Sequence, residues 1–526
     1  MVNRRDHLNN GAAVQTAGTP RPPVAVAVIG AIAGLKLMAH LLTIAVTPYG
    51  FHRDEFLYLA MGQHLRFWSM DFPPLIAVLA NTARALFGDT LFSIRLFPAL
   101  AGTVLIVLTA LIARELGGRR LAQGIAAFSA LLAPVFLRPA ALFQPVVFDQ
   151  LWWTLGFLAL VKISRTGNNR LWLVLGVAGG LGLLTKFSIG FFAVGVLAGL
   201  LLTPQRRWLA SPWPYAAAGL ALIIGSASVV GQIRLGFPVA GYMSELQESQ
   251  LARVSAAEFL GGQLMLLGPA LLLAIAGLVY LFQAEAMRPY RAIAWTCVTI
   301  FLLLLILRGK AYYVAPIYPA LLAAGGVALE AASSRARRVL VPAFALVMLA
   351  AGIAALPFGL PVVPPEPMAR YSAKLGLTSA VTTNRGVVLP LPQDYADMLG
   401  WGEQVAAVAR HYHTLPADKR TQAVIVGGNY GEAGALDFYG PRYGLPRAIS
   451  TAGTYWFFGP GDLPGEVAVI IGIEADELAD FFRSARVVER LDAPWLVPEQ
   501  RDNPIVLAEQ PHRTLQEVWP SLARPD

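Results

Sequence analysis

Residues 51–60 read FHRDEFLYLA, with His52, Arg53, Asp54 and Glu55 in a row a few residues past an apolar stretch long enough to cross a bilayer. Neighbours on a helix point about 100° apart, so one carboxylate of the pair can face a cavity while the other braces the loop. A carboxylate beside a low-dielectric surface holds its proton more tightly than in water, which suits it to deprotonate a hydroxyl or an amine. An ordinary solvated loop would carry the same charges. The triplet His52-Arg53-Asp54 also opens a kinase catalytic loop, but that loop needs an asparagine at position 59, which is Leu59 here.

Other charges fall at comparable places. Asp71, in SMDFPPLIAVLA, precedes Pro73 and Pro74, which stiffen the approach to the next segment. Asp149, in QPVVFDQLWW, opens an apolar run, where an acid serves equally as a helix cap or as part of a site. Lys186 falls between two short apolar helices in GLLTKFSIG, and Arg308 and Lys310 between two more in LRGKAYYVAPIYPALLAAG. Cations there run against the usual charge bias of membrane proteins and point to an anion they bind. Tyr312, Tyr313 and Tyr318 beside them fit either interfacial aromatics or the wall of a lipid-phosphate groove. Lys36 and His40, four apart on the first apolar run, share one face and should look into the bundle, as polar packing or as function. His52 beside Asp54 can help hold a divalent ion, although one histidine and scattered acids make no recognisable metal spacing. The glycine-rich GGNYGEAG (427–434) lacks GxGxxG spacing and reads as a tight strand-to-helix turn.

The elements that must position these residues are membrane helices. Of 526 residues, 56% are hydrophobic and 14% charged, against roughly a quarter charged in soluble proteins; mean hydropathy is +0.56. The net charge of +9 comes from short arginine clusters between apolar runs, so no nucleic-acid partner is implied. The single cysteine, Cys297, excludes an intrachain disulfide. Apolar stretches of spanning length fall near 24–46, 91–113, 121–137, 146–163, 171–185, 187–203, 213–233, 260–282, 291–307, 311–330 and 339–357, about eleven in all. If residues 1–23 form a cytoplasmic tail, every inner loop is basic: Arg114, Arg119 and Arg120; Lys162, Arg165 and Arg170; Arg206 and Arg207; Arg288 and Arg291; Arg335, Arg337 and Arg338. The loop 47–90 and everything after 358 then face outward, which in a bacterial inner membrane is the periplasm. After the linker VVPPEP, residues 358–526 read as a soluble α/β domain: a strand at TQAVIVGG, a helix or turn at GEAGALDFYG, a strand at EVAVIIGI and a helix at ADELADFFRSA. Within it Tyr430, Glu432, Asp437, Tyr455 and Trp456 are candidates for guiding an acceptor.

Taken together, the acidic pair on the first outer loop, the D-x-P-P element, the broken helices with Thr185-Lys186 and the K-x-Y-Y-x-x-P-x-Y-P run at 310–319 resemble the GT-C glycosyltransferases. More closely, they resemble the bacterial branch related to protein O-mannosyltransferases, to the aminoarabinose transferase that modifies lipid A and to galacturonosyl transferases of lipopolysaccharide core. The resemblance spans roughly 45–335. It implies a polytopic helical GT-C module over 24–357 with a small periplasmic α/β domain. It implies an enzyme, a hexosyl or pentosyl transferase that moves a sugar from a polyprenyl-phosphate donor to a lipid, glycan or protein of the cell envelope, with inversion at the anomeric carbon. Carried over by position, Asp54 is the base, Glu55 completes the acidic pair and Asp71 is the juxtamembrane acid; Lys186, Arg308 and Lys310, with Tyr312 and Tyr313, receive the donor phosphate; His52, Asp149, Tyr430 and Glu432 support. Phe72 stands where the aminoarabinose transferase has a lysine, which shifts phosphate binding onto the later cations. A secondary transporter would account for the many spans but predicts matching sequence halves, and a non-catalytic envelope assembly protein would tolerate loss of the carboxylates.

Overall fold

A computed structural model describes residues 21–523; the expected tail 1–23 lies almost wholly outside them. Among the described residues six helices are long and apolar enough to cross a membrane, and up to ten if each of four bent pairs counts as one span. Apolar side chains such as Leu35, Leu272, Ile306 and Leu346 stay exposed on their outer faces, as lipid contact requires. The chain is a multi-pass membrane protein.

The pass expected at 171–185 is the helix Leu171–Leu183, which has only 13 residues, about 20 Å of helix against a hydrocarbon core of roughly 30 Å. It still joins the two ends of the bundle. At one end Glu115 is buried against Arg165 (2.9 Å) and Arg114 (3.0 Å), Tyr290 bonds the Glu115 carbonyl, Gln205 bonds the Pro289 carbonyl and Trp172 packs edge-on against Trp208. At the other end the Leu184 carbonyl accepts from the Leu75 amide (2.9 Å), and Ser188 donates to Asp149 (2.8 Å). The helix therefore starts beside the arginine-rich end and finishes beside the acidic one.

Bends shape the acidic end. Arg120–Leu132 and Pro134–Ala141 meet at 77°, because Pro134 cannot donate to the preceding turn. Pro139, five residues on, likewise has no N–H to give the Val135 carbonyl. The freed carbonyls of Val135, Phe136 and Leu137 are taken by Gln150 (3.2 Å), Lys36 (2.7 Å) and His40 (3.2 Å). Lys36 and His40 do face the bundle, and their contacts there cap a broken helix. That cap fixes where the following loop leaves the bundle with Arg138 and Gln144.

The C-terminal region holds five strands: β1 (Ala423–Gly427), β2 (Ala448–Ile449), β3 (Val467–Ile471), β4 (Phe482–Leu491) and β5 (Asn503–Pro511). Their order is β2-β1-β3-β5-β4, with β1 parallel to β2 and β3, and β5 antiparallel to both β3 and β4. The strands expected at TQAVIVGG and EVAVIIGI are β1 and β3, and the helix Tyr430–Tyr439 follows β1 as expected. The helix expected at 475–485 does not form: those residues turn and then enter β4, because pairing with β5 across the sheet outweighs a local helical period. VVPPEP also differs from a plain linker, since Pro365 opens the helix Pro365–Leu375.

Candidate active site

The helix Arg53–Gln63 sets the site. Its N-cap is His52, whose Nδ1 accepts from the Asp54 amide (3.1 Å), while the Glu55 carboxylate accepts from the His52 amide (2.8 Å). This reciprocal cap satisfies two donors that the first turn leaves free. Glu55 is fully buried and its two oxygens also accept from Arg95 Nε (2.9 Å), Arg95 Nη2 (2.8 Å) and the Phe143 amide (2.9 Å). Arg95 Nη2 continues to the Gly50 carbonyl (2.8 Å). Glu55 was expected with Asp54 in a catalytic pair. Its four accepted hydrogen bonds make it the brace, tying the loop to the bundle.

Asp54, one residue back on the helix, points the other way. Its Oδ1 accepts from the Tyr430 hydroxyl (2.9 Å) and its Oδ2 from the Gln144 amide (3.0 Å). Tyr430 comes from the C-terminal region and Gln144 from the loop that the Lys36–His40 cap positions. Each carboxylate oxygen keeps lone-pair capacity for a further donor.

The cations gather from two other turns. The Lys186 ammonium lies 4.8 Å from the Tyr313 ring centroid and 5.5 Å from that of Tyr312, cation–π contacts that hold it over the aromatic turn. Asp149, bonded to Ser188 and to Trp153 Nε1 (3.0 Å), fixes the Lys186 turn, and its charge acts on Lys186. Lys310 is close enough to Lys186, Asp54 and Asp394 to feel their charges. Burial, aided by Lys186, pulls its ammonium down to about 8 against the pull of the two acids. Arg308 does not join this group. It ends its helix with φ at +54° and stays exposed, donating to the Ala252 carbonyl (3.1 Å). The left-handed turn at the helix end sends its side chain outward, away from the aromatic turn.

Asp71 is held apart from that group. Its Oδ2 accepts from the Thr454 hydroxyl (2.7 Å) and its carbonyl from Gln232 (2.6 Å), and burial pushes its pKa up. Glu432 is buried inside the C-terminal region, capping its own helix through the Asn429 amide (3.2 Å) and accepting from Asn503 (2.8 Å). Both of these bonds lie within the C-terminal region. Asp437 ties the Ala448 amide (2.8 Å) to the Tyr455 hydroxyl (2.9 Å), and Trp456 donates to the Trp519 carbonyl. Of the C-terminal candidates, Tyr430 is the one bonded to a membrane-loop acid.

Several site residues escaped the sequence reading. Arg138 pairs with Asp394 (2.6 Å) and lies 4.3 Å over the Tyr395 ring. His52 Nε2 is 3.9 Å from both Asp394 and Asp397, and Arg53 is 3.9 Å from Asp397. Burial opposes the charge on Asp394, but Arg138, His52 and Arg53 hold its pKa well below the usual carboxylate range. Arg138 had a signal of its own, a cation on a loop where the charge bias disfavours one; Asp394 had none. As for a metal, His52 Nδ1 is engaged by the Asp54 amide, Asp394 pairs with Arg138, and Asp397 lies 3.9 Å from Arg53. Among the described residues no group of three or more His, Cys, Asp or Glu side chains is arranged to hold a metal ion, and this donor set does not fit one.

A helical membrane bundle with broken spans, an acidic first loop and a C-terminal α/β region packed on it matches solved structures of the GT-C fold. ArnT from Cupriavidus metallidurans superposes with a TM-score of 0.61 in its apo state, at 17% identity over 96% of this chain and 100% of that one. The same protein bound to undecaprenyl phosphate gives 0.59, at 16% identity over 92% and 98%. The archaeal oligosaccharyltransferase AglB from Archaeoglobus fulgidus, in complex with an inhibitory peptide and a dolichol-phosphate, gives 0.52 at 12% identity over 85% and 69%. Within the chain, residues 71–230 match the dolichyl-phosphate-mannose-protein mannosyltransferase family. No curated protein matches the chain in sequence. The likeness to GT-C glycosyltransferases read from the motifs is thus borne out in the fold.

Proposed function

We propose that the chain transfers a sugar from a polyprenyl-phosphate donor to a nucleophile of the cell envelope, with Asp54 as the base. The observation that carries this reading is the convergence on one end of the bundle of a bonded carboxylate, Asp54, and the cations Lys186 and Lys310. Undecaprenyl phosphate bound to ArnT, which shares the fold, supports the choice of donor class. In this reading the donor's lipid tail lies in the bilayer and its phosphate meets Lys186 and Lys310 over Tyr312 and Tyr313. As the acceptor oxygen or nitrogen bonds to the anomeric carbon, the bond from that carbon to the phosphate oxygen breaks, and Asp54 takes the acceptor's proton. The cations stabilise the charge that builds on the departing phosphate, where preorganised groups contribute several kcal/mol. The products are the glycosylated acceptor and polyprenyl phosphate. The site end faces the periplasm of a bacterial inner membrane, and residues 358–526 form a domain that covers it. A secondary transporter gives no role to the bond between Tyr430 and Asp54.

Purified protein in lipid, supplied with labelled polyprenyl-phosphate sugars, should release polyprenyl phosphate when an acceptor is present. Asp54→Asn should abolish that release while the protein accumulates normally. Undiminished turnover in this variant would remove Asp54 from the role.

A further inference from the structure

The contact between the C-terminal region and the first loop is unusually close. At Gly431 an added Cβ would overlap the Arg53 side chain, and at Gly434 it would come within 2.7 Å of Phe56 Cβ. The two helices Tyr430–Tyr439 and Arg53–Gln63 pack backbone to backbone across these glycines. The Arg53 stem crosses Gly431, and its guanidinium lies 5.2 Å from the Tyr430 ring centroid. Phe438 and Tyr439 pack against Phe51 and Phe56 on the same face. The Tyr430 hydroxyl is thereby fixed against Asp54 Oδ1 from one side, while Gln144 holds Oδ2 from the other. Two donors on opposite oxygens define the plane of a carboxylate, and a side chain pinned by a glycine-faced helix pays little to hold that geometry.

Resting on the reading of Asp54 as base, we infer that Tyr430 is a positioning residue for Asp54, so that the C-terminal region supplies part of the reaction centre. The region is then more than a cover. Its docking sets the aim of the base, and a base misplaced by about 1 Å loses on the order of a hundredfold in rate. In this reading the donor phosphate meets Lys186 and Lys310, whereas the Tyr430 hydroxyl is bonded to Asp54, so losing that one bond should leave donor binding in place.

The test compares three full-length variants in lipid. Tyr430→Phe keeps the ring and removes only the donated hydrogen bond. It should lower kcat roughly tenfold to a hundredfold with KM for the lipid donor and binding of polyprenyl monophosphate unchanged. Arg447→Gln breaks a different tie of the same two parts, the bond to His64 (3.1 Å), without touching Asp54, and should keep kcat near that of the parent. Asp54→Asn reports on the base itself. An unchanged kcat in Tyr430→Phe, or an equal loss in Arg447→Gln, overturns the positioning role while an inactive Asp54→Asn leaves the base in place. Full activity in Asp54→Asn overturns both.

Discussion

Replacing Glu55 separates a brace from a catalyst. The carboxylate and Arg95 are both almost fully buried, and Glu55 accepts four hydrogen bonds, from the His52 and Phe143 amides and twice from Arg95. Glu55→Ala leaves the guanidinium without a counter-charge, which costs about 3–5 kcal/mol, and two amides without acceptors, at about 1–3 kcal/mol each. The sum approaches the whole stability of a typical protein, about 5–15 kcal/mol, so this variant should fail to accumulate. Glu55→Gln keeps the shape and one oxygen but turns an NH2 group toward the remaining donors. Its expected cost is about 3 kcal/mol, chiefly the lost charge opposite Arg95. Exchanging both partners, Glu55→Leu with Arg95→Met, should recover the part of the Glu55→Ala loss that comes from the lone charge, while the His52 and Phe143 amides still lack acceptors. Thermal unfolding in lipid nanodiscs reads the stability, and turnover normalised to folded protein reads the chemistry. A Glu55→Gln protein that melts within a degree of the parent yet no longer turns over would refute the brace and place Glu55 in the reaction.

Two further outcomes depend on pH. Burial and Lys186 pull Lys310 down to about 8, so its positive charge is present below that pH and lost above it; affinity for polyprenyl monophosphate should decline from about pH 7 to about 9, and Lys310→Arg should remove the decline in a lipid-binding titration. Burial pushes Glu432 up from 4.5 to about 7 against the bonds from Asn503 and Asn429. Its native state then keeps a proton that the unfolded chain has released, so its stability contribution is complete below pH 4.5 and falls as pH rises to about 7, by at most on the order of 3 kcal/mol. Unfolding midpoints across that window should flatten in Glu432→Gln, and an unaltered slope would show that another group sets it.

Hydropathy by itself determined that the chain is a membrane bundle, because the cost of exposing polar groups to lipid is read directly as long apolar runs. Lys186 and Lys310 were legible for the same reason, since a cation at that end of a span breaks the charge pattern. The acidic pair was legible as a pair but not by role. Successive helix positions diverge by about 100°, which says that Asp54 and Glu55 part company without saying which faces the bundle. That was decided by Arg95, 40 residues on, and by Tyr430, 376 residues on. Arg308 and Lys310, two residues apart, parted because one left-handed residue ends a helix, a turn that composition does not announce. The β4 strand and the Asp394–Arg138 pair depended likewise on partners distant in the chain. Local sequence fixes what a side chain can do; which neighbour it meets is set by packing, and only the folded chain brings Asp54 under a hydroxyl from its far end.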